Sequence, residues 1–156
     1  MIESTWHSTG QPCAKQTKDL ALAFAAERAD AFNPAQCVLV HGDAHADNTL
    51  QRLDQVGHYK LIDPDGLFAE PAFDLAIPMR DWNEELLAGD AVQLGQSRCH
   101  TLAALTSLDA RAIWQWGFME RVSTGLYMLQ LGMKQAGQAT LAVADRWSAA
   151  AISWSQ

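Results

Sequence analysis

Five side chains able to bind a metal or move a proton stand within "HGDAHADN": His41, Asp43, His45, Asp47 and Asn48. Asp63 and Asp65 follow in "IDPDG", with Asp63 fifteen residues beyond Asn48. Three chemistries use such residues. A metal-dependent hydrolase could take His41, Asp43, His45 and Asp63 as ligands to Zn, Mn or Fe. Phosphoryl transfer needs a carboxylate to orient and deprotonate an attacking hydroxyl. It also needs an amide oxygen and a second carboxylate to hold Mg²⁺ against phosphates. The third possibility is structural: Asp and Asn cap turns, and His41 is a hydrogen-bonded core histidine.

Spacing separates these readings. Phosphoryl transfer by protein kinases uses H-x-D-x-x-x-x-N, followed after a hairpin by a metal-binding Asp in a turn. His41, Asp43, Asn48 and Asp63 match those intervals one by one. H-x-D-x-H on a loop is a weaker metal signature, and turn capping accounts for each residue singly but not for the set.

The flanking segments must place the two loops together. Residues 1–18 are polar and contain Gly10 and Pro12, which predicts a loose leader. From Asp19, the expected cap, Leu20, Phe24, Ala31 and Phe32 fall near one helical stripe that Pro34 ends. "CVLV" (37–40) has the length and composition of a buried strand. Residues 49–53 and 58–63 form a hairpin signal around Gly57, and "PDG" marks a turn. Residues 73–82 read as helical with a boundary at Pro78. "NEELLAGDAVQLG" and "SRCHTLAALTSL" are short amphipathic pieces. Residues 109–133 form one long helix, Gly132 and Gly137 bracket a turn, and 140–154 form a last helix. The fold class is mainly α (α+β), with a β-hairpin region carrying polar loops ahead of a helical bundle.

With 156 residues, 49% hydrophobic and 19% charged, the chain can bury the core of one globular domain. Its net charge of −7 argues against a sequence-independent nucleic-acid binder and suits a cationic small-molecule substrate. Cys13, Cys37 and Cys99 show no CxxC spacing, so reduced thiols in a cytoplasmic protein are expected, with Cys37 buried in its strand. No apolar run is long enough for a membrane span and no signal peptide is visible.

"LVHGDAHADNTL" resembles the catalytic loop of the aminoglycoside phosphotransferases, in which Gly replaces the Arg of protein kinases. "LIDPDGLFAEPAFDLA" and "WGFMERVSTGLYMLQLG…LAVADRW" resemble the streptomycin phosphotransferase and hydroxyurea antibiotic-resistance kinase branch. The likeness runs from about residue 20 to the C-terminus. It implies the C-terminal lobe of a protein-kinase-like fold over 19–156, and phosphorylation of a hydroxyl of streptomycin or a related molecule with ATP as co-substrate. Asp43 would be the base, Asn48 and Asp63 would hold Mg²⁺ on the phosphates, and His41 would pack the loop from below. Asp74 would be buried and accept hydrogen bonds from the loop backbone, and Asp65 would support the metal shell or simply make the turn. His45 and Asp47 would face solvent or substrate. Asp81, Glu84 and Glu85 could line a cleft for a cationic substrate, and Trp82 would be a core or interface aromatic.

Kinases of this type also use an N-terminal lobe with a phosphate-covering loop and a Lys-bearing strand. The roughly 40 residues before the loop read as a leader plus one helix, so that nucleotide lobe is expected to be absent and the chain truncated. The alternative function that follows is an inactive kinase-like lobe binding a ligand or partner weakly. The apolar face left uncovered would favour self-association.

Overall fold

The computed structural model describes residues 1–150. The long helix is present: α6 spans Ala110–Gln130, with the Asp109 carboxylate accepting from the Arg111 amide at its start (3.0 Å). It is buried around most of its girth, through Ile113, Trp114, Phe118, Val122 and Leu126 among others. The remaining helices wrap it: α1 (Ile2–Ser8), α2 (Lys15–Asp30), α3 (Ala76–Arg80), α5 (Ala91–Thr106) and α7 (Lys134–Ser148), with α4 (Asn83–Ala88) against α5 and α7. Trp114 and Trp147 stack with ring centroids 4.4 Å apart, joining α6 to α7. Aromatic contact of this kind adds to the energy of area burial and fixes how the helices are rotated.

Residues 1–18 are not a loose leader. Trp6 is buried and its indole N–H donates to the Cys13 carbonyl at 3.0 Å. The Lys18 ammonium lies 5.3 Å from the Trp6 ring centroid and pairs with Glu3 and Asp19. An apolar anchor and a folded-in lysine stem order a segment whose average composition is polar. Asp19 therefore sits inside α2, paired with Lys15 and Lys18, and does not cap it. Ala21 is fully buried, and Phe24 meets Phe118 edge to face (5.5 Å). Phe32 lies past the helix end and is exposed.

Strand β1 (Val38–Val40) pairs antiparallel with β4 (Leu67–Ala69), a strand too short to register in the sequence. The hairpin forms as expected between β2 (Thr49–Gln51) and β3 (Tyr59–Leu61), as a second two-stranded ribbon. β1 is not a buried strand: Val40 and Cys37 are buried, but Leu39 is 75% exposed and Phe68 opposite it 69%. Val38 and Leu67 are exposed as well, so most of the two-stranded ribbon is uncovered and burial is confined to its ends at Cys37 and Val40.

Pro78 does not break the segment before α6. It is the third residue of α3, where a helix has no internal partner for its amide, so the ring costs nothing there. The two pieces expected over 83–95 and 97–108 divide elsewhere: the first half of the first piece is α4, and α5, capped by Asp90, runs unbroken through their expected junction. Gly137 lies inside α7 and does not bracket a turn; a Cβ there would stand 2.8 Å from the Gly125 carbonyl oxygen, so it permits close packing on α6. Of the expected last helix, residues 151–154 fall outside the described residues. No helix among the described residues is long and apolar enough to cross a membrane.

Candidate active site

The two ribbons bring the polar loops together. In the β1–β4 register Val40 lies opposite Leu67, so His41 continues beside Gly66; the His41 carbonyl accepts from Asp65 (2.9 Å) and Gly66 (3.3 Å). In the hairpin Thr49 lies opposite Leu61, and the Asn48 carbonyl accepts from the Ile62 amide at 2.9 Å. Loop 41–48 is thus fastened at both ends to 62–66, with Asn48 on the rung beside Asp63.

Gly42 makes the close approach possible. Its φ is +86°, and a Cβ would lie 3.0 Å from the Asp65 Cβ. Both the left-handed backbone and the contact favour glycine. Asp63 also takes a positive φ, +56°, which an Asp tolerates at modest cost and which is common at functional sites.

Asp74, immediately before α3, receives the start of the loop. Its Oδ2 accepts from the His41 amide and its Oδ1 from the Gly42 amide, each at 2.7 Å. It is half-buried, where the sequence suggested full burial. The helix that follows it, α3, packs along α6. Glu70, just after β4, bonds the Trp116 indole of α6 and lies 3.6 Å from Arg28 of α2. Asp74→Ala should therefore leave two amides without their charge-assisted acceptor, lowering stability by ~2–3 kcal/mol. Hydrogen exchange at His41 and Gly42 checks this: both amides should lose protection, and unchanged protection would refute the anchoring role.

Within the loop, His41 is a brace. Its Nδ1 accepts from the Asp43 amide (3.3 Å), so its Nε2 carries the proton and donates to the Ile62 carbonyl (2.9 Å). The Asn48 side-chain amide donates to the Asp43 carbonyl (3.0 Å) and to Asp43 Oδ2 (3.3 Å). His45 Nε2 lies 3.2 Å from the same Oδ2. Asp43 Oδ1 and Asn48 Oδ1 accept no hydrogen bond among the described residues. Asp63 and Asp65 are exposed, with no side-chain hydrogen bond or ion pair among the described residues. Both nitrogens of His41 are engaged, one by the Asp43 amide and one by the Ile62 carbonyl, so its ring is not directed at a shared cluster of His and Asp ligands. No group of three or more His, Cys, Asp or Glu close enough to hold a metal occurs among the described residues.

A cavity of about 350 Å³ opens beside this loop, lined by His45, Thr49, Tyr59, Pro78, Asp81 and Trp82 among others. Asp81 is thus brought to the loop. Glu84 and Glu85 are not; with Lys134 they line a separate cavity of about 900 Å³ that Trp82 also borders. Trp82 is 52% exposed with φ +61°, a wall between cavities and not a core aromatic.

Residues 2–132 match the family described as aminoglycoside/hydroxyurea antibiotic resistance kinase. The chain belongs to this family. The matched span holds both loops, α3 and α6, and it includes α1, which lay outside the resemblance drawn from residue 20 onward. No curated protein and no solved structure matches the chain. Kinases of the antibiotic-resistance family generally use ATP and Mg²⁺. Among the residues here, Asn48 and Asp63 suit that ion: an amide oxygen and a carboxylate, hard donors on neighbouring rungs, neither consumed by a protein hydrogen bond.

His45 and Trp82 are the site residues that the sequence under-weighted. The H-x-D-x-H interval was visible, but it does not reveal which way the second ring turns. The left-handed backbone of a tryptophan has no sequence signature.

Proposed function

We propose that this chain is an ATP-dependent phosphotransferase that phosphorylates a hydroxyl of streptomycin or a related cationic small molecule in the cytoplasm. The observation carrying this reading is the Asp43 carboxylate, with one oxygen accepting from Asn48 and 3.2 Å from His45 Nε2, and the other unbonded, on a loop whose neighbouring His45 lines an open cavity. That unbonded oxygen would accept the proton of the acceptor hydroxyl. Asn48 and Asp63 would hold Mg²⁺, with Asp65 supporting. The ion, when bound, neutralises charge on the ATP phosphates. Asp81 would meet a cationic group of the acceptor, and Trp82 would wall the cavity. Glu84 and Glu85 would act, if at all, through longer-range attraction. ADP formation by the full chain, dependent on added streptomycin and on Mg²⁺, tests the proposal. Absence of acceptor-dependent ADP across a panel of cationic hydroxyl compounds would overturn it.

A second reading, that the chain pairs with another copy of itself, rests on the ribbons. Leu39, Leu50, Leu53, Val56, Tyr59, Leu61 and Phe68 are all exposed there. Outward apolar side chains on strands favour association. Sedimentation equilibrium should then show a dimer that Leu39→Lys with Phe68→Lys dissolves, and a monomer at all concentrations would refute it.

A further inference from the structure

We propose that His45 is a positioning residue for Asp43: its Nε2–H, within reach of one carboxylate oxygen, fixes the plane of the carboxylate and leaves the other oxygen free. The inference rests on the phosphotransferase reading for its consequence, but its geometry stands alone. The ring is fixed on both edges. On one edge, Nδ1 accepts the Asp47 amide at 3.2 Å and caps the single 3-10 turn Ala46–Asn48. A ring nitrogen that accepts a backbone N–H is unprotonated, so the proton of the neutral ring sits on Nε2. That nitrogen is 3.2 Å from Asp43 Oδ2.

The backbone beneath the ring is fixed as well. The His45 amide donates to the Asp43 carbonyl (2.9 Å), and its own carbonyl accepts from the Asn48 amide and the Thr49 hydroxyl (both 3.1 Å). His45 is therefore a short strut between the turn and the carboxylate, with a partly exposed ring that also lines the cavity.

The strut matters because of what else touches Asp43. The other donor to Oδ2 is the Asn48 amide, at 3.3 Å, and that same side chain carries the oxygen suited to the metal. Any turn of Asn48 toward an ion would weaken its hold on the carboxylate. His45 has no such second duty, so it keeps the carboxylate plane in place through that change.

Kinetics of the full chain with ATP and streptomycin provide one test. His45→Ala should lower kcat by about 10- to 100-fold, the scale expected for a misaligned group, with acceptor KM changed little. His45→Gln, whose amide N–H can donate to the same oxygen, should recover most of kcat. An unchanged kcat in His45→Ala would overturn the proposal, as would a rise in KM alone or a folded Gln variant with no recovery. A long-range ¹H–¹⁵N spectrum of the ligand-free chain provides a test independent of turnover. His45 should appear as the Nε2–H tautomer, and Asp43→Asn should move its Nε2 resonance. An Nδ1–H ring, or a resonance indifferent to Asp43→Asn, would overturn it. Wild-type protein without turnover would instead sink the phosphotransferase reading, leaving the spectrum to decide His45.

Discussion

Asp43→Asn should lower the phosphoryl-transfer rate by about 10²- to 10⁴-fold, the range attributed to a positioned general base, while the fold persists. The substitution preserves size and leaves an oxygen to accept from Asn48 and to face His45 Nε2. The unbonded position, however, becomes an NH₂, which donates and cannot take a proton. The Asp43 side chain is 40% accessible, so little buried packing is disturbed and the melting temperature should stay close to wild type. Acceptor KM should change by only a few-fold, because Asp81 and Trp82 remain in the cavity wall. A coupled ADP assay with full acceptor titrations separates the two parameters. Retention of wild-type kcat by a folded Asp43→Asn protein would remove Asp43 from the chemistry. A large rise in KM with unchanged kcat would make it a binding group.

The parts of this site legible in the sequence were those whose chemistry is local. Asp43 and Asn48 lie on one loop, and their interval survives whatever packs around it. The hairpin announced itself through Gly57 and its flanking strand residues, and it carries Asn48 to Asp63 by simple register. The apolar spacing of α6 was an equally local signal. What stayed hidden depended on distant partners. β4 is three residues long and gains its identity only from β1. The ordering of 1–18 comes from Trp6 against the Cys13 carbonyl and Lys18, a contact no window of average polarity reveals. His45 and Asp43 are two residues apart, yet their contact depends on a ring orientation set by the Asp47 amide.

Arg121→Met, the strongest test of how the cavity wall is built, should destabilise the protein by ~2–3 kcal/mol, the cost of leaving buried acceptors without their donor. Arg121 lies in the middle of α6 with no exposed surface. No carboxylate pairs with it within ion-pair distance among the described residues. Its Nη2 donates to the carbonyls of Met79 (2.8 Å) and Asp81 (3.3 Å), its Nη1 bonds the Asn83 side chain, and its plane lies 4.7 Å from the Trp147 ring centroid. Burial pushes its pKa down to about 9, with nearby Arg98 adding to the effect, yet it remains a cation at neutral pH. A full charge is therefore spent on carbonyls at the end of α3. Arg98 reinforces it from α5, donating to the Pro78 (3.4 Å) and Asp81 (3.1 Å) carbonyls and lying 4.9 Å from the Trp82 ring. Two guanidinium groups thus pin the turn that forces Trp82 into its left-handed conformation and sets Asp81 toward the loop. Met fills similar volume but leaves the Met79 carbonyl and the Asn83 oxygen without their donor. Arg121→Lys, still charged but unable to fork across three acceptors, should fall between the two. Chemical denaturation gives the stabilities. The linked expectation is a rise in acceptor KM for Arg121→Met, measured well below its melting temperature, because the wall loses its hold on Asp81 and Trp82. Wild-type stability in Arg121→Met would show that the turn holds itself. Lowered stability with an unchanged KM would separate the buried network from the acceptor site.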